Sequence, residues 1–394
     1  MRVGIYLVPL LDHVTGRERG MQGLLEALAR LDGANDYYLF VGPGNRRLFQ
    51  RPESNFHTVV VRLPSLPSRR LWQLGHLYLA RWAHRLDVID LPESPMPGFF
   101  SRRAVATVDD ITPVLFPSLL PFKGRLFYQK AFTFGVRRLR RITVPSQCTK
   151  NDLVTHLSAD PGKVTVVSRG VDTRFQPNCC PESVKAVKRK YHLPDRFILY
   201  VGTLEPRKNL PRLIKSYRLL RQKGLRHGLV VAGGRGWLYD DVFEAAGRDG
   251  LGEHIVFAGH VNEEDLLALY QSADVFAYPS LYEGFGFPVL EAMACGIPVV
   301  CSDRGSLPEV AGDAALLVDP TDEPAMAAAL DRALHDGDLR RHMVARGLER
   351  ARQFTWARVA RNLLSVYREV AAGGVSRDYE DRATDLRRYC RYGR

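Results

Sequence analysis

The apolar run 275–278 leads into Pro279-Ser280-Leu281-Tyr282-Glu283-Gly284-Phe285-Gly286-Phe287-Pro288-Val289-Leu290-Glu291, and this stretch decides how the chain is read. Val, Phe, Ala and Tyr in a short run suit a buried strand. Gly284 and Gly286 then permit a sharp turn and a close backbone approach, and Pro288 suits the first turn of a helix. Strand, glycine-rich turn and helix in that order belong to a parallel sheet with a ligand beyond the carboxyl end of the strand. The unpaired N–H groups at such a helix start attract anions, a pyrophosphate among them.

Working outward, the same grammar recurs. Run 197–201 leads to Gly202-Thr203-Leu204-Glu205-Pro206-Arg207-Lys208-Asn209, run 229–232 to Gly233-Gly234-Arg235-Gly236-Trp237, and run 255–258 to Gly259-His260-Val261. Four such turns at one sheet edge describe a binding rim. Runs 299–301 and 315–318 complete that half, and the first half offers 3–8, 37–41, 58–61, 88–90, 104–108, 142–144 and 164–167. Amphipathic stretches such as 20–31, 210–220, 263–271 and 326–334 lie between them. This alternation predicts an α/β protein with parallel sheets covered by helices on both faces. The polar, proline-containing stretch 172–181 reads as a linker. It gives domains at 1–175 and 176–370, with a basic helix or tail at 371–394 that could pack back on the first domain.

At 394 residues the chain exceeds one ordinary core and fits two domains of similar size. The apolar start of the chain runs into Asp12-His13 without a small-residue cleavage site, which favours a first buried strand over a secretion signal. No apolar run approaches the ~18 residues of a membrane span. Six cysteines without C-x-x-C spacing suit a reduced, cytoplasmic protein rather than a disulfide framework or zinc site. The net charge of +13 is lopsided: residues 1–177 hold 25 Lys and Arg against 14 Asp and Glu. A basic first domain points to something anionic, and nucleic acid, an anionic membrane surface and a phosphorylated acceptor all stay open on charge alone.

Charges cluster at the rim. A carboxylate accepts two hydroxyl hydrogen bonds at once, so Glu283 and Glu291 suit the vicinal diols of a ribose or hexose. Arg207 and Lys208 would supply the positive charge that a departing diphosphate needs.

EGFGFPVLE resembles the E-x7-E motif of the retaining glycosyltransferases of family 4, also called group 1, which have the GT-B fold. GTLEPRKN, AGGRGW, PSLYEGFGFPVLEAMACGIPVV, LPEVAGDAALLVDP and the late FTW…YRE are similar to that family in order and spacing. TGRERG, TVDDITPVLFP, VPSQCTKNDL and SRGVD in the first half resemble it more loosely. The resemblance implies two Rossmann-like domains facing each other across a cleft and metal-free transfer from a nucleotide-diphosphate sugar. A loop like GTLEPRKN favours GDP-mannose as donor and a mannosyltransferase. It further implies that Glu283 contacts the transferred sugar, Glu291 the ribose, and Arg207 with Lys208 the diphosphate. Gly16 would admit the phosphates, and the turn ending at Val261 would meet the base. Gly202, Gly234, Gly284, Phe285 and Gly286 complete the expected donor contacts, although Phe285 and Trp237 also read as rim packing.

Two positions depart from the pattern. Asp109-Asp110 stands where the family commonly has His-Asp, and Arg169-Gly170 where it usually has Asn-Gly. Asp109 thereby becomes a catalytic candidate without the usual neutral imidazole. Asp109 and Asp110 alone make a weak metal site, and His13, His76, His84 and His260 have no partner at ligand or triad spacing. A nicotinamide dehydrogenase is disfavoured because no G-x-G-x-x-G follows a strand. Nucleic-acid binding rests on charge only; an epimerase or phosphorylase on the same fold is the alternative reading. The expected acceptor is a glycan or lipid-linked sugar. Arg69, Arg70, Trp72, Arg81, Trp82 and Arg85 form a basic, aromatic segment that could sit on anionic lipid at the inner membrane face. Oligomeric state is not legible.

Overall fold

The computed structural model describes residues 1–11, 16–62, 69–92, 102–119, 127–178, 180–236 and 239–373. The chain divides into two compact units, Met1–Gly170 with the described residues 355–373, and Val171–Phe354. Each is built on one parallel sheet, with thirteen strands among the described residues.

The first unit holds β1 (Arg2–Tyr6), β2 (Asp36–Val41), β3 (Phe56–Val60), β4 (Val88–Leu91), β5 (Ala104–Thr107), β6 (Arg141–Val144) and β7 (Val164–Val166). Their order is β3-β2-β1-β4-β5-β6-β7, so the winding reverses between β1 and β4, where Val3 pairs with Val88 and Ile5 with Asp90. One face is covered by helices Gly16–Leu31 and Trp356–Ala371, with Leu24, Leu28, Leu363 and Tyr367 packed on Val3 and Ile5. The other face buries Tyr6, Phe40, Leu77, Ile142 and Leu153.

The second unit holds β8 (Phe197–Val201), β9 (Gly228–Ala232), β10 (Ile255–Gly259), β11 (Val275–Tyr278), β12 (Val299–Ser302) and β13 (Ala315–Val318). The order β10-β9-β8-β11-β12-β13 reverses between β8 and β11. Its core is one continuous cluster that includes most strand residues, with others such as Phe257 and Leu316 packed against it. Both faces of a parallel sheet are buried, which is why these strands read as apolar runs and not as alternating ones.

Every apolar run expected to be a strand is one, within a residue or two at its ends. The domain boundaries differ. The expected division at 175/176 falls instead at Gly170/Val171, and helix Trp356–Ala371, expected in the second domain, belongs to the first unit. The reason is physical. Thr355 caps the helix by accepting from the Arg358 N–H at 3.2 Å. Val359, Leu363, Val366, Tyr367 and Val370 then form an apolar stripe that packs on the first sheet and on helix Gly16–Leu31. Arg141, buried on β6, donates to Glu369 at 3.0 Å and ties down the far end. The expected tail from 374 onward lies outside the described residues.

Candidate active site

The winding reversal of the second sheet brings the loops after β8 and β11 side by side, and they are stitched together. Leu281 N–H donates to the Arg207 carbonyl at 2.8 Å. Asn209 Nδ2 donates to the carbonyls of Pro279 (3.1 Å) and Pro320 (2.7 Å). Gly305 presses on the same loop: a Cβ there would lie 2.8 Å from both N and O of Glu283, at a φ of 61°. Gly286, with φ 104°, caps helix Phe287–Ala294, and a Cβ on it would meet Leu307 at 2.6 Å. Only glycine accepts that backbone and that space, so the turn delivers the helix start to the sheet edge.

These loops assemble a buried charge cluster. Lys208 Nζ donates to Glu283 Oε1 and to the Tyr278 hydroxyl, both at 2.7 Å. Arg207 Nη1 lies 2.8 Å from Glu283 Oε2 and donates to the Tyr282 carbonyl at 2.7 Å. Its Nη2 donates to Glu205 Oε1 at 2.6 Å. Glu283 is only 7% exposed. Burial opposes its charge, but Arg207 and Lys208 outweigh it and hold the carboxyl down at about 2. Burial also pushes the Lys208 ammonium below its ordinary value, partly offset by Glu283. Two cations and two carboxylates thus neutralise one another beside a helix start. A diphosphate arriving there would compete with Glu205 and Glu283 for the same donors.

The structure brings Arg207, Lys208 and Glu283 together and places other expected contacts around them. Glu291 sits inside the helix, buried, with Oε2 accepting from the Tyr270 hydroxyl at 2.9 Å. Gly202 directly follows β8, and the Gly234 carbonyl accepts from Leu204 N–H at 3.0 Å. Val261 is buried just past β10. Phe285 is buried too, its ring edge-on to Phe287 and Phe354 and its carbonyl taken by the Ser306 hydroxyl at 2.8 Å. As a ring it is packing. Gly284 lies buried in the same turn. Gly16 opens its helix in open space, and the preceding 12–15 lie outside the described residues, as does Trp237.

Sequence reasoning passed over Glu205, Tyr278 and Ser280. Glu205 stands two residues before Arg207 and orients it, while Tyr278 ends β11 and anchors Lys208. The Ser280 hydroxyl is fully buried in the same loop as Glu283. Charge alternation in Glu205–Arg207 was a legible signal for the first; nothing marks the other two.

In the first unit Asp109 and Asp110 diverge. Asp109 pairs with Arg169, and Asp110 Oδ1 accepts from Thr112 N–H at 2.8 Å. Among the described residues no group of three His, Cys, Asp or Glu side chains is placed to hold a metal ion.

Two parallel-sheet units, with a cationic pair and a carboxylate at a helix start on the second, define a sugar-transferring enzyme of the GT-B class. The chain belongs to the group 1 glycosyltransferases: residues 184–350 match the model "Glycosyl transferases group 1" and residues 14–175 match "Glycosyltransferase Family 4". It is a glycosyltransferase of the hexosyltransferase kind. It is 35% identical over 269 residues to O-antigen chain mannosyltransferase B of Escherichia coli, covering 68% of this chain and 70% of that protein. Serotype-specific mannosyltransferase WbdA of Escherichia coli is 33% identical over 55% of this chain, but the match spans only 27% of that longer protein. The solved sucrose-phosphate synthase of Thermosynechococcus elongatus superposes with a TM-score of 0.74 at 21% identity, over 95% of this chain and all of that one, and shares the fold.

Proposed function

We propose that the enzyme moves a mannosyl group from GDP-mannose to a hydroxyl of a glycan or lipid-linked acceptor, with retention at the anomeric carbon and without a metal ion. The observation that carries this reading is the Arg207–Lys208–Glu283 cluster at the start of helix Phe287–Ala294. As the C1–O bond to the diphosphate breaks, negative charge grows on the leaving oxygen. Arg207, Lys208 and the helix N–H groups would receive it, which is the work a metal does elsewhere. The acceptor hydroxyl forms the new C1–O bond, and its proton leaves with the diphosphate. Glu283, kept ionised, accepts hydroxyls of the transferred sugar. Glu291 holds the ribose, its carboxylate steadied by Tyr270. Mannose as the sugar is supported by the 35% identity to an O-antigen mannosyltransferase.

The test is product analysis of the purified chain with GDP-mannose, with and without a mannoside acceptor, in EDTA. Transfer with the anomer retained is expected. Loss of turnover in EDTA, restored by magnesium or manganese, overturns the metal-free mechanism, and a product formed without acceptor favours an epimerase.

A second observation bears on where the acceptor lies. Helix Arg69–Ala83 exposes Leu79 (71%) and Trp82 (74%), with Arg81 stacked 5.5 Å over the Trp82 ring. Phe134 is also exposed, under Arg138. Aromatic rings beside arginines suit the interface of an anionic bilayer, and no helix among the described residues is long and apolar enough to cross a membrane. A lipid-linked acceptor would be met at that surface.

A further inference from the structure

A polar cluster lies at the carboxyl edge of the first sheet. Asp90 sits on β4 opposite Ile5 of β1, at the reversal of winding where open parallel sheets bind ligands. It is fully buried. Its Oδ2 accepts from the Tyr367 hydroxyl at 2.6 Å, and its Oδ1 has no hydrogen-bond partner among the described residues. An orphaned buried carboxylate oxygen is costly and calls for a reason. A charge stands close by: burial lifts the Asp90 carboxyl to about 6, against the Tyr367 hydrogen bond and the positive field of Arg169.

Arg169, just past β7, reaches across to Asp109, just past β5, and donates to its Oδ1. The two side chains differ in exposure. The guanidinium is 14% exposed and the carboxylate 41%, so the cation lies within and the anion faces solvent. The second oxygen of Asp109 has no partner among the described residues. The guanidinium holds the carboxylate through one nitrogen and one oxygen, which restrains Asp109 and leaves its other oxygen outside the pair. The residues that depart from the family pattern at two separate places, Asp109 and Arg169, are one contact.

We infer that Asp109 is a specificity-determining residue for a neutral sugar acceptor, held by Arg169 so that its outer oxygen accepts an acceptor hydroxyl. Arg169 is a positioning residue, acting on Asp109 through their shared contact. A carboxylate at the rim recruits hydroxyl donors and repels phosphate or carboxylate groups. The sugar ring that meets this edge is therefore unphosphorylated, although the domain around it is basic. The inference rests on the transfer to a glycan proposed above.

The experiment uses the full chain, with octyl α-D-mannoside and its 6-phosphate as probes. Mannoside binding is measured without donor by saturation-transfer NMR, the acceptor KM with GDP-mannose, and GDP affinity by calorimetry. Asp109→Asn and Arg169→Gln are each expected to weaken mannoside binding and raise its KM about tenfold, with GDP affinity unchanged. The double variant is expected to be no worse than either single one, and Arg169→Lys to recover part of the loss. A purely structural pair would lower the melting temperature without this acceptor-specific, non-additive pattern. Unchanged mannoside binding in both single variants, strictly additive losses, or preference for the phosphorylated probe each overturn the inference. Wild-type protein that binds the mannoside through Asp109 but does not turn over GDP-mannose sinks the donor reading and leaves this one standing.

Discussion

Replacing Glu283 with Gln removes one negative charge from the buried cluster while keeping its shape. The carboxyl is held at about 2 in the fold, against the ordinary 4.5. A difference of that size corresponds to roughly 3 kcal/mol favouring the ionised form, and a neutral isostere forfeits something of that order. At about 2–4 °C per kcal/mol for a unit of this size, the melting transition of the second unit should fall by roughly 6–12 °C at pH 7. The sign follows from the depressed value. The stabilisation is complete above the unfolded-state value and is lost as pH falls from about 4.5 toward about 2, so wild type and variant should converge in acid. Function should move differently. Arg207 and Lys208 lose a competitor, so GDP affinity should be kept or improved, while turnover with GDP-mannose falls by about 10²–10³-fold. Calorimetry across pH 3–8 together with GDP titration checks both arms. A variant that melts like wild type at pH 7 and keeps its turnover would refute the idea that this ion cluster is both structural and reactive.

Glu291→Ala should weaken donor binding more than it slows the bound complex, because ribose contacts persist through the reaction; steady-state KM and kcat for GDP-mannose decide it. The same variant removes the carboxylate acceptor of the Tyr270 hydroxyl and should cost about 1–3 kcal/mol in urea unfolding. Asp90, raised to about 6, opposes folding increasingly as pH climbs from its ordinary 3.8 through that value. Asp90→Asn should therefore flatten the stability–pH profile between pH 4 and 6 and unfold no more easily than wild type at pH 7; a steeper profile counts against the assignment. Arg81→Gln with Arg85→Gln and Trp82→Ser should reduce co-sedimentation with anionic liposomes at low salt, and equal binding to neutral liposomes would favour a soluble acceptor.

Most strands were legible because they are buried on both faces, which leaves a largely apolar run flanked by turn residues; the edge strand β3, with exposed His57 and Val60, carries the weaker signal. The donor-side residues were legible because glycine, proline and charge crowd into the turns after β8 and β11, where the winding reverses. What escaped reading is long-range. An amphipathic stripe announces that helix Trp356–Ala371 packs on something, but not on which sheet. Asp109 and Arg169 lie sixty residues apart on loops after different strands, and no periodicity couples them. Likewise, the pairing of Glu283 with both Arg207 and Lys208 depends on loop geometry set by Asn209 and Gly305, neither of which looks unusual in the chain.

The placement of that last helix bears on how the protein is made. The first sheet is complete once β7 has left the ribosome, yet the groove formed by Leu24, Leu28, Val3 and Ile5 stays bare until the final helix emerges. The chain from Val171 to Phe354 must be synthesised in between, a wait of roughly 10–40 s at ~5–20 residues per second. During that interval the second unit can fold alone, whereas the first presents an apolar trough and the buried acid Asp90 without its Tyr367 hydroxyl. The amino-terminal half therefore finishes last, and nascent chains stalled before Thr355 expose a surface that chaperones can bind.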